Sequence, residues 1–473
     1  MPLPQSWSVL LVVVAFALPL ARAADSTPPP PKRYLISDLG AVGDGMTVNT
    51  KAIQAAIDRC ATEGGGVIVV PKGTFLSGAL YFKQGVNLQI EKDAVLKSTT
   101  VMTDFPPIYT NWEGIERYWT SAFLNFVGMK NVDVSGEGVI DGSGTAFGGG
   151  RGVRGAGPAA PASTTPFVYA TTPPTPDTLN ILPAGTSLPG VNAAGVRLPG
   201  GGGGLAPPRT IVFQNCQNVR ASGFHVLNEA RWGVVFIYST DVLAENLDIR
   251  NPQHNIPSSD AMDICSSKNV HVTGCYFECN DDCLSIKAGK DEDGLRVNRP
   301  TEDVLIEHTH FAFGHGGAAM GSETSGGIRR VTIRDCVMDS GNLAPIRFKS
   351  QPSRGGVVED ITYENIELHD TSQAFEFNMA WRMVGPLAPP AKVLPVVRNV
   401  KLINITGTCR SLGAITGLAD SPIQGVTFSK VKLTAQRPLS IQYVQGLDTA
   451  GLTADGFDGP AVVQRDTTPA AGP

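Results

Sequence analysis

The chain has 473 residues, of which 42% are hydrophobic and 17% charged, and a formal net charge of −5. That length is ample for a large core, and a solenoid can use it as one domain. The mildly acidic balance argues against a nucleic-acid partner and makes the place of each Arg and Lys informative for any anionic ligand.

Val9 to Leu20 is a short apolar run followed by Ala21-Arg22-Ala23, a small-x-small cleavage pattern. Residues 1–23 are therefore expected to be a secretory signal peptide. The run is too short to span a membrane and no later segment reaches that length, so the expectation is an exported, extracellular or periplasmic protein with no membrane partner. Residues 24–33 hold four consecutive prolines and read as an extended linker. The solenoid is expected over residues 34–450. At its start, residues 49–57 predict a capped amphipathic helix that Gly64-Gly65-Gly66 ends, suited to covering the open end of a stacked core. Val67 to Val70 and Val86 to Ile90 begin the strands. Ala146 to Pro208 is dense in Gly, Pro, Ala and Thr and reads as a long, poorly ordered insertion.

From about residue 210 one pattern recurs: Asn or Asp, then Val or Ile, then alternating apolar positions, then a turn. Asn218-Val219, Asp241-Val242, Asn269-Val270, Asp303-Val304, Asp360-Ile361 and Asn399-Val400 carry it, and Arg330-Val331 and Gly425-Val426 keep its register. Successive intervals are 23, 28, 34, 27, 30, 39 and 26 residues, an irregular period with fixed short strands that indicates an all-β, parallel β-helix. Eight cysteines are present; Cys275, Cys279 and Cys283 lack zinc-site spacing, so small buried residues with room for one disulfide are expected. Asp291-Glu292-Asp293-Gly294 fails the calcium-loop pattern and reads as an acidic turn. Residues 451–473 are expected to be a disordered tail.

The inward pairs Met262/Ile264, Leu284/Ile286, Ala318/Met320 and Ile346/Phe348 align as one strand in four successive coils, with offsets of 22, 34 and 28. The same offsets put Asp260 over Asp282 and Asp281 over His315. They put Asp263, Ser285 and Arg347 in one outward column and Cys265, Lys287 and Lys349 in the next. Neighbouring rungs lie about 4.8 Å apart, so these side chains share one patch. Glycoside hydrolysis needs a protonated carboxyl for the leaving oxygen and a carboxylate to activate water or attack the sugar. Like-charge repulsion among three acids raises at least one pKa. Arg347, Lys349 and Lys287 would bind the carboxylate of a uronic acid. Taken singly, an Asp-Asp pair is a solvated turn and an Arg-x-Lys strand a solvated face; their convergence under one alignment is what points to a site.

These clusters resemble those of glycoside hydrolase family 28, the polygalacturonases, whose pattern runs Asn-Thr-Asp, Asp-Asp, Gly-His-Gly and Arg-Ile-Lys. Asp260, Asp281 with Asp282, His315, and Arg347 with Lys349 match in order and spacing, and the resemblance runs from about Leu39 to Ala435. The resemblance implies a right-handed parallel β-helix acting on pectic polysaccharide or oligogalacturonides by inversion, with no metal or other cofactor. It assigns Asp281 as general acid, Asp260 and Asp282 as the pair that holds and activates water, and His315 as the residue that orients Asp281. Trp112 to Glu116, Asp291 to Gly294 and Ser353-Arg354-Gly355-Gly356 look like bacterial exo-acting members, and a monomer is expected. Ser258, Ser259, Ala261 and Phe348 depart from the pattern, which leaves room for a drifted substrate. The competing readings are a rhamnogalacturonan hydrolase, a calcium-dependent lyase and a non-catalytic carbohydrate-binding β-helix.

Overall fold

The computed structural model describes residues 30–147, 176–183, 206–382 and 388–465. The expected signal peptide, most of the linker and most of the insertion lie outside the described residues. Within them the chain winds as a right-handed parallel β-helix, each strand pairing in parallel with its counterpart one coil away. Strand–crossover–strand connections take that hand in nearly all proteins.

The recurring dipeptide has a backbone cause. Val219, Val242, Val270, Val304, Val331, Ile361, Val400 and Val426 stack as one inward column. The residue before each has a positive φ, between 54° at Arg330 and 63° at Gly425, which turns the chain into the strand. Asn and Asp tolerate that left-handed conformation and bond along the stack, as Asn269 Nδ2 does to Asp241 Oδ1 at 2.6 Å. Arg330 breaks the residue rule but keeps the ladder, its Nε donating to Asp303 Oδ1 at 2.6 Å. Inside, Phe82, Phe126, Phe213 and Phe236 stack at 4.2, 4.9 and 5.2 Å, close to the rung spacing.

The helix Thr50–Thr62 covers the first coil with Ile53, Ala56, Ile57 and Cys60 buried. Asn49 stands at its N-cap position but does not cap it. Its amide instead ties the preceding loop, accepting from Val42 N at 2.7 Å and donating to Val42 O at 3.0 Å.

Several expectations need correction. The acidic segment at Asp291 is the first turn of a helix, Asp291–Val297, not a free turn. The tail does not begin at residue 451: Leu452–Asp455 and Val462–Gln464 add strands to the stack, pairing with Val431–Thr434 and Leu439–Gln442. All eight thiols are buried and free, so the expected disulfide is not formed. An antiparallel hairpin, Pro107–Trp112 with Ile115–Thr120, stands outside the solenoid and was not foreseen. Of the insertion, residues 176–183 lie against this hairpin, where Ile181 bridges Ile108.

Candidate active site

The strand alignment read from the sequence is the register of the structure. Met262 pairs with Leu284, Leu284 with Ala318 and Ala318 with Ile346. The outward column therefore runs Asp263, Ser285, Ala319, Arg347 and, one coil further, Glu376. Asp260 and Asp281–Asp282 sit in the turns that lead into these strands. Carboxylate oxygens of Asp260, Asp281 and Asp282 all lie within 4.8 Å of one another.

The three acids have different surroundings. Asp282 is 1% exposed. It accepts from Arg347 Nη1 at 3.2 Å, from Ser285 Oγ at 2.9 Å and from Lys349 Nζ. Burial pushes its pKa up, but Lys349 and Arg347 outweigh burial and hold it below the usual carboxylate range. Arg347 reaches across because the positions between are small: Ala319 fills the intervening rung, and a Cβ on Gly316 would stand 2.7 Å from Asp282 Oδ1.

Asp260 is buried, and Lys287 Nζ donates to its Oδ2 at 3.0 Å. Burial nevertheless raises its pKa well above the carboxylate range, Lys287 opposing and the neighbouring acids adding to the rise. Like-charge repulsion was expected to single out one acid; the acid singled out is Asp260, and desolvation is the larger cause. Asp281 is the accessible member, its side chain 28% exposed. Its Oδ1 accepts from Asp282 N at 3.0 Å and lies 3.5 Å from His315 Nδ1. That carboxylate raises the His315 pKa against partial burial.

The cations are placed differently from the expectation. Lys287 was read as a substrate contact, but it lies buried between two acids, bonded to Asp260 and 2.6 Å from Asp263 Oδ1, off the hydrogen-bond direction. Burial lifts Asp263 to about 6, Lys287 opposing. Arg347 and Lys349 are bound to Asp282, and Arg347 Nε stands 2.6 Å from Glu376 Oε2. This last contact is close for an ion pair but lacks hydrogen-bond alignment. Arg347 and Lys349 are 6% and 8% exposed, and the Trp381 ring lies 4.6 Å from the Arg347 guanidinium and 5.6 Å from Lys349 Nζ.

Several residues here escaped the sequence reading. Glu376 was reachable by carrying the outward column one coil further. Trp381 and Trp232, which lies 3.8 Å from Lys287 Nζ, sit in turns and carry no periodic signal. Trp232 also joins the hairpin, stacking on Trp112 at 5.3 Å, with Trp119 on the far side at 5.4 Å. The acidic trio has the donor set for a divalent ion, but Lys287, Arg347 and Lys349 already neutralise its two buried members, so an ion would compete with three built-in cations.

Comparison with known proteins gives the family and the fold. The sequence profile of glycosyl hydrolases family 28 matches residues 201–451, and that of rhamnogalacturonase A/epimerase, pectate lyase-like, matches residues 35–144. The chain is similar to an exo-poly-alpha-D-galacturonosidase of Dickeya chrysanthemi, 26% identical over 431 residues covering 87% of this chain and 69% of that protein. It is also similar to an endo-polygalacturonase of Pectobacterium carotovorum, 25% identical over 406 residues covering 84% of this chain and 86% of that protein. Its fold superposes on the exopolygalacturonase of Thermotoga maritima with a TM-score of 0.71 at 25% identity, over 89% of this chain and 94% of that one.

Proposed function

The chain belongs to glycoside hydrolase family 28, and on that premise we propose that it is an exported enzyme that hydrolyses α-1,4-galacturonosidic bonds of pectic polygalacturonate from the chain end, with inversion. The observation that carries this reading is the convergence of three carboxylates with unlike environments on one face of the solenoid. Asp281 is the one acid open to a bound sugar, and His315, its pKa raised by that carboxylate, stands 3.5 Å from it. Asp281 delivers a proton to the leaving oxygen. Asp282, held ionised by Arg347 and Lys349, takes the proton of the attacking water, and Asp260 orients that water. The small accessible edge of the Arg347 and Lys349 pair, 6% and 8% exposed beside Trp381, meets the substrate carboxylate.

A second reading, retention through a covalent intermediate, has one observation in its favour. The carboxylates are closer than the about 6.5–9.5 Å common to inverting pairs. Against it, both buried acids are tied to cations at the floor of the site, and a nucleophile needs a carboxylate free to advance on the sugar. Proton NMR of early hydrolysis decides: the β-anomer first from an α-linked substrate supports inversion, and the α-anomer first refutes it. Exo action is supported by the hairpin docked beside the acids through Trp112 and Trp232. Monomer release with little fall in viscosity is the expected outcome; a steep viscosity drop with a ladder of oligomers would overturn it.

A further inference from the structure

We infer that Trp232 is a positioning residue of the acid cluster: its indole face seats the ammonium of Lys287, Lys287 holds Asp260, and the hairpin Pro107–Trp112 with Ile115–Thr120 is the strut that keeps that face in place. The inference rests on the hydrolase reading above, in which Asp260 orients the attacking water. Trp232 acts at one remove from the sugar, through a cation.

Trp232 stands in the acid column. Val234 pairs with Met262, and Met262 with Leu284. Two residues earlier in the same three coils are Trp232, Asp260 and Asp282. Gly233 N donates to Asp260 O at 2.8 Å and Ala261 N to Asp282 O at 3.2 Å, so the ladder runs on through these positions. The coil before the acids thus carries a tryptophan where the next two carry a carboxylate.

Lys287 needs such a seat. It ends its strand, pairing with Cys265 on one side, while the ladder to the following coil stops at Ile286. A lysine has a flexible stem and a point charge at its tip. Two buried carboxylates compete for that tip, Asp260 Oδ2 at 3.0 Å and Asp263 Oδ1 at 2.6 Å, and only the first is aligned for a hydrogen bond. The Trp232 ring closes a third side at 3.8 Å from Nζ. A cation over an indole face is held most strongly where water is excluded, and Lys287 is 5% exposed. The ring therefore fixes where the ammonium rests between the two acids.

Behind Trp232 the stack continues into the hairpin. Trp112 lies 5.3 Å from Trp232, and Trp119 lies 5.4 Å from Trp112, with ring planes 21° and 22° from parallel. The hairpin is tied to the solenoid at several points. Thr110 Oγ1 donates to Gln214 Oε1 at 2.7 Å, Asn111 Nδ2 to Tyr238 Oη at 3.0 Å, and Glu116 N to Asp293 Oδ2 at 2.7 Å. The buried Arg209 donates to Asn111 O and Thr110 Oγ1, both at 2.9 Å. Satisfied buried polar networks of this kind rigidify what they hold. The bland alternative is that Trp232 only fills the seam, where it clusters with Val212, Val235 and Tyr238. Seam packing alone gives no reason for an ammonium on the ring face.

The test is a kinetic double-mutant cycle on polygalacturonate, with circular dichroism to verify that each variant is folded. Trp232→Leu should lower kcat about 10- to 100-fold, the scale of a small misplacement at a reacting centre, and leave KM little changed. Trp232→Phe, which keeps a ring face, should recover part of the loss. Lys287→Met should lower kcat too, and adding Trp232→Leu to it should cost no more than about twofold, because the route is already cut. Trp112→Leu leaves the Trp232–Lys287 contact in place but unbacked, so its loss should be the smaller. Should Trp232→Leu misfold, Trp232→Met carries the cycle, because its flexible chain fills space without a π face. Effects of Trp232 and Lys287 that multiply, a loss confined to KM, or a larger loss at Trp112 than at Trp232 would each overturn the inference and leave the parent reading intact. A wild-type enzyme inactive on polygalacturonate would refute the parent reading and this one with it.

Discussion

Lys349→Met is the sharpest perturbation of the charge cluster. Asp282 is 1% exposed, and with Lys349 gone it keeps only Arg347 at 3.2 Å and the Ser285 hydroxyl at 2.9 Å. Removing one member of a buried pair typically costs about 3–5 kcal/mol, because the other charge stays buried. Two retained donors place the expected loss near the lower end, about 3 kcal/mol. Asp282→Asn removes the same charge pair from the other side. In the double variant neither charge is stranded, so its loss should be smaller than the sum of the singles by about 2–3 kcal/mol. Guanidinium unfolding of the four proteins at pH 7 measures this coupling. The linkage has a sign as well. The folded Asp282 pKa lies below its unfolded value, so its stabilisation is present above the ordinary carboxylate range and is lost as pH falls through the folded value. The penalty of Lys349→Met should therefore be largest near neutrality and shrink in acid. Additivity of the singles within about 0.5 kcal/mol, or a penalty that grows in acid, would refute the reasoning.

Asp281→Asn should leave the melting temperature nearly unchanged, because the side chain is partly open, and should remove about two to four decades of kcat on polygalacturonate. Wild-type turnover by the folded variant would end its assignment as donor. Asp263, lifted to about 6 by burial, takes up a proton on folding, so it makes stability fall as pH rises from the ordinary carboxylate range through about 6. Asp263→Asn should flatten that slope in thermal melts across the same window, and an unchanged slope would place the titration on another group. Gly316→Ala would put a methyl carbon 2.7 Å from Asp282 Oδ1 and 3.2 Å from Arg347 Cδ. Small displacements at a reacting centre cost on the order of 100-fold, so kcat should drop by about that factor while the circular dichroism stays native; full activity would show that the close approach is slack.

What could be read from the sequence followed the mechanics of a parallel stack. Once Met262, Leu284, Ala318 and Ile346 are set inward, the period of two along each strand and the rung spacing leave no freedom for Asp263, Ser285 and Arg347, and their register is the one observed. The left-handed turn residue adds an independent marker, because few side chains accept positive φ and the chain needs that φ before this strand in every coil of the series. Turns obey neither rule. Trp232, Trp381 and the helix Asp291–Val297 lie in connections whose length varies from coil to coil, so no offset predicts them. The hairpin Pro107–Trp112 with Ile115–Thr120 departs from the parallel pattern altogether and finds its partners, Gln214 and Tyr238, more than a hundred residues away. The last strands were hidden by composition: Leu452–Asp455 and Val462–Gln464 are too short to show alternation among Gly, Asp and Thr.

On the mechanism proposed above, this division between strand and turn would let one small site run two opposed proton transfers. Strands deliver Lys287, Arg347 and Lys349, each paired to a neighbouring coil and Arg347 to the coils on both sides, so the cations meet Asp260 and Asp282 with little freedom. A buried carboxylate pinned by two cations is poised to stay ionised and accept a proton, while one that burial pushes upward is poised to keep it. Asp281 belongs to the turn instead, accessible, anchored by the Asp282 amide and coupled to an imidazole on the next coil. The assigned donor and acceptor are neighbours in one turn and differ in what reaches them, strand-borne cations at Asp282 and an imidazole at Asp281. Asp282 is held ionised although oxygens of the other two acids lie within 4.8 Å, because Arg347 and Lys349 bond to it directly. A substitution that moves a strand cation should therefore displace the limb of the pH–rate profile that belongs to water activation, and one in the turn should displace the limb that belongs to proton donation.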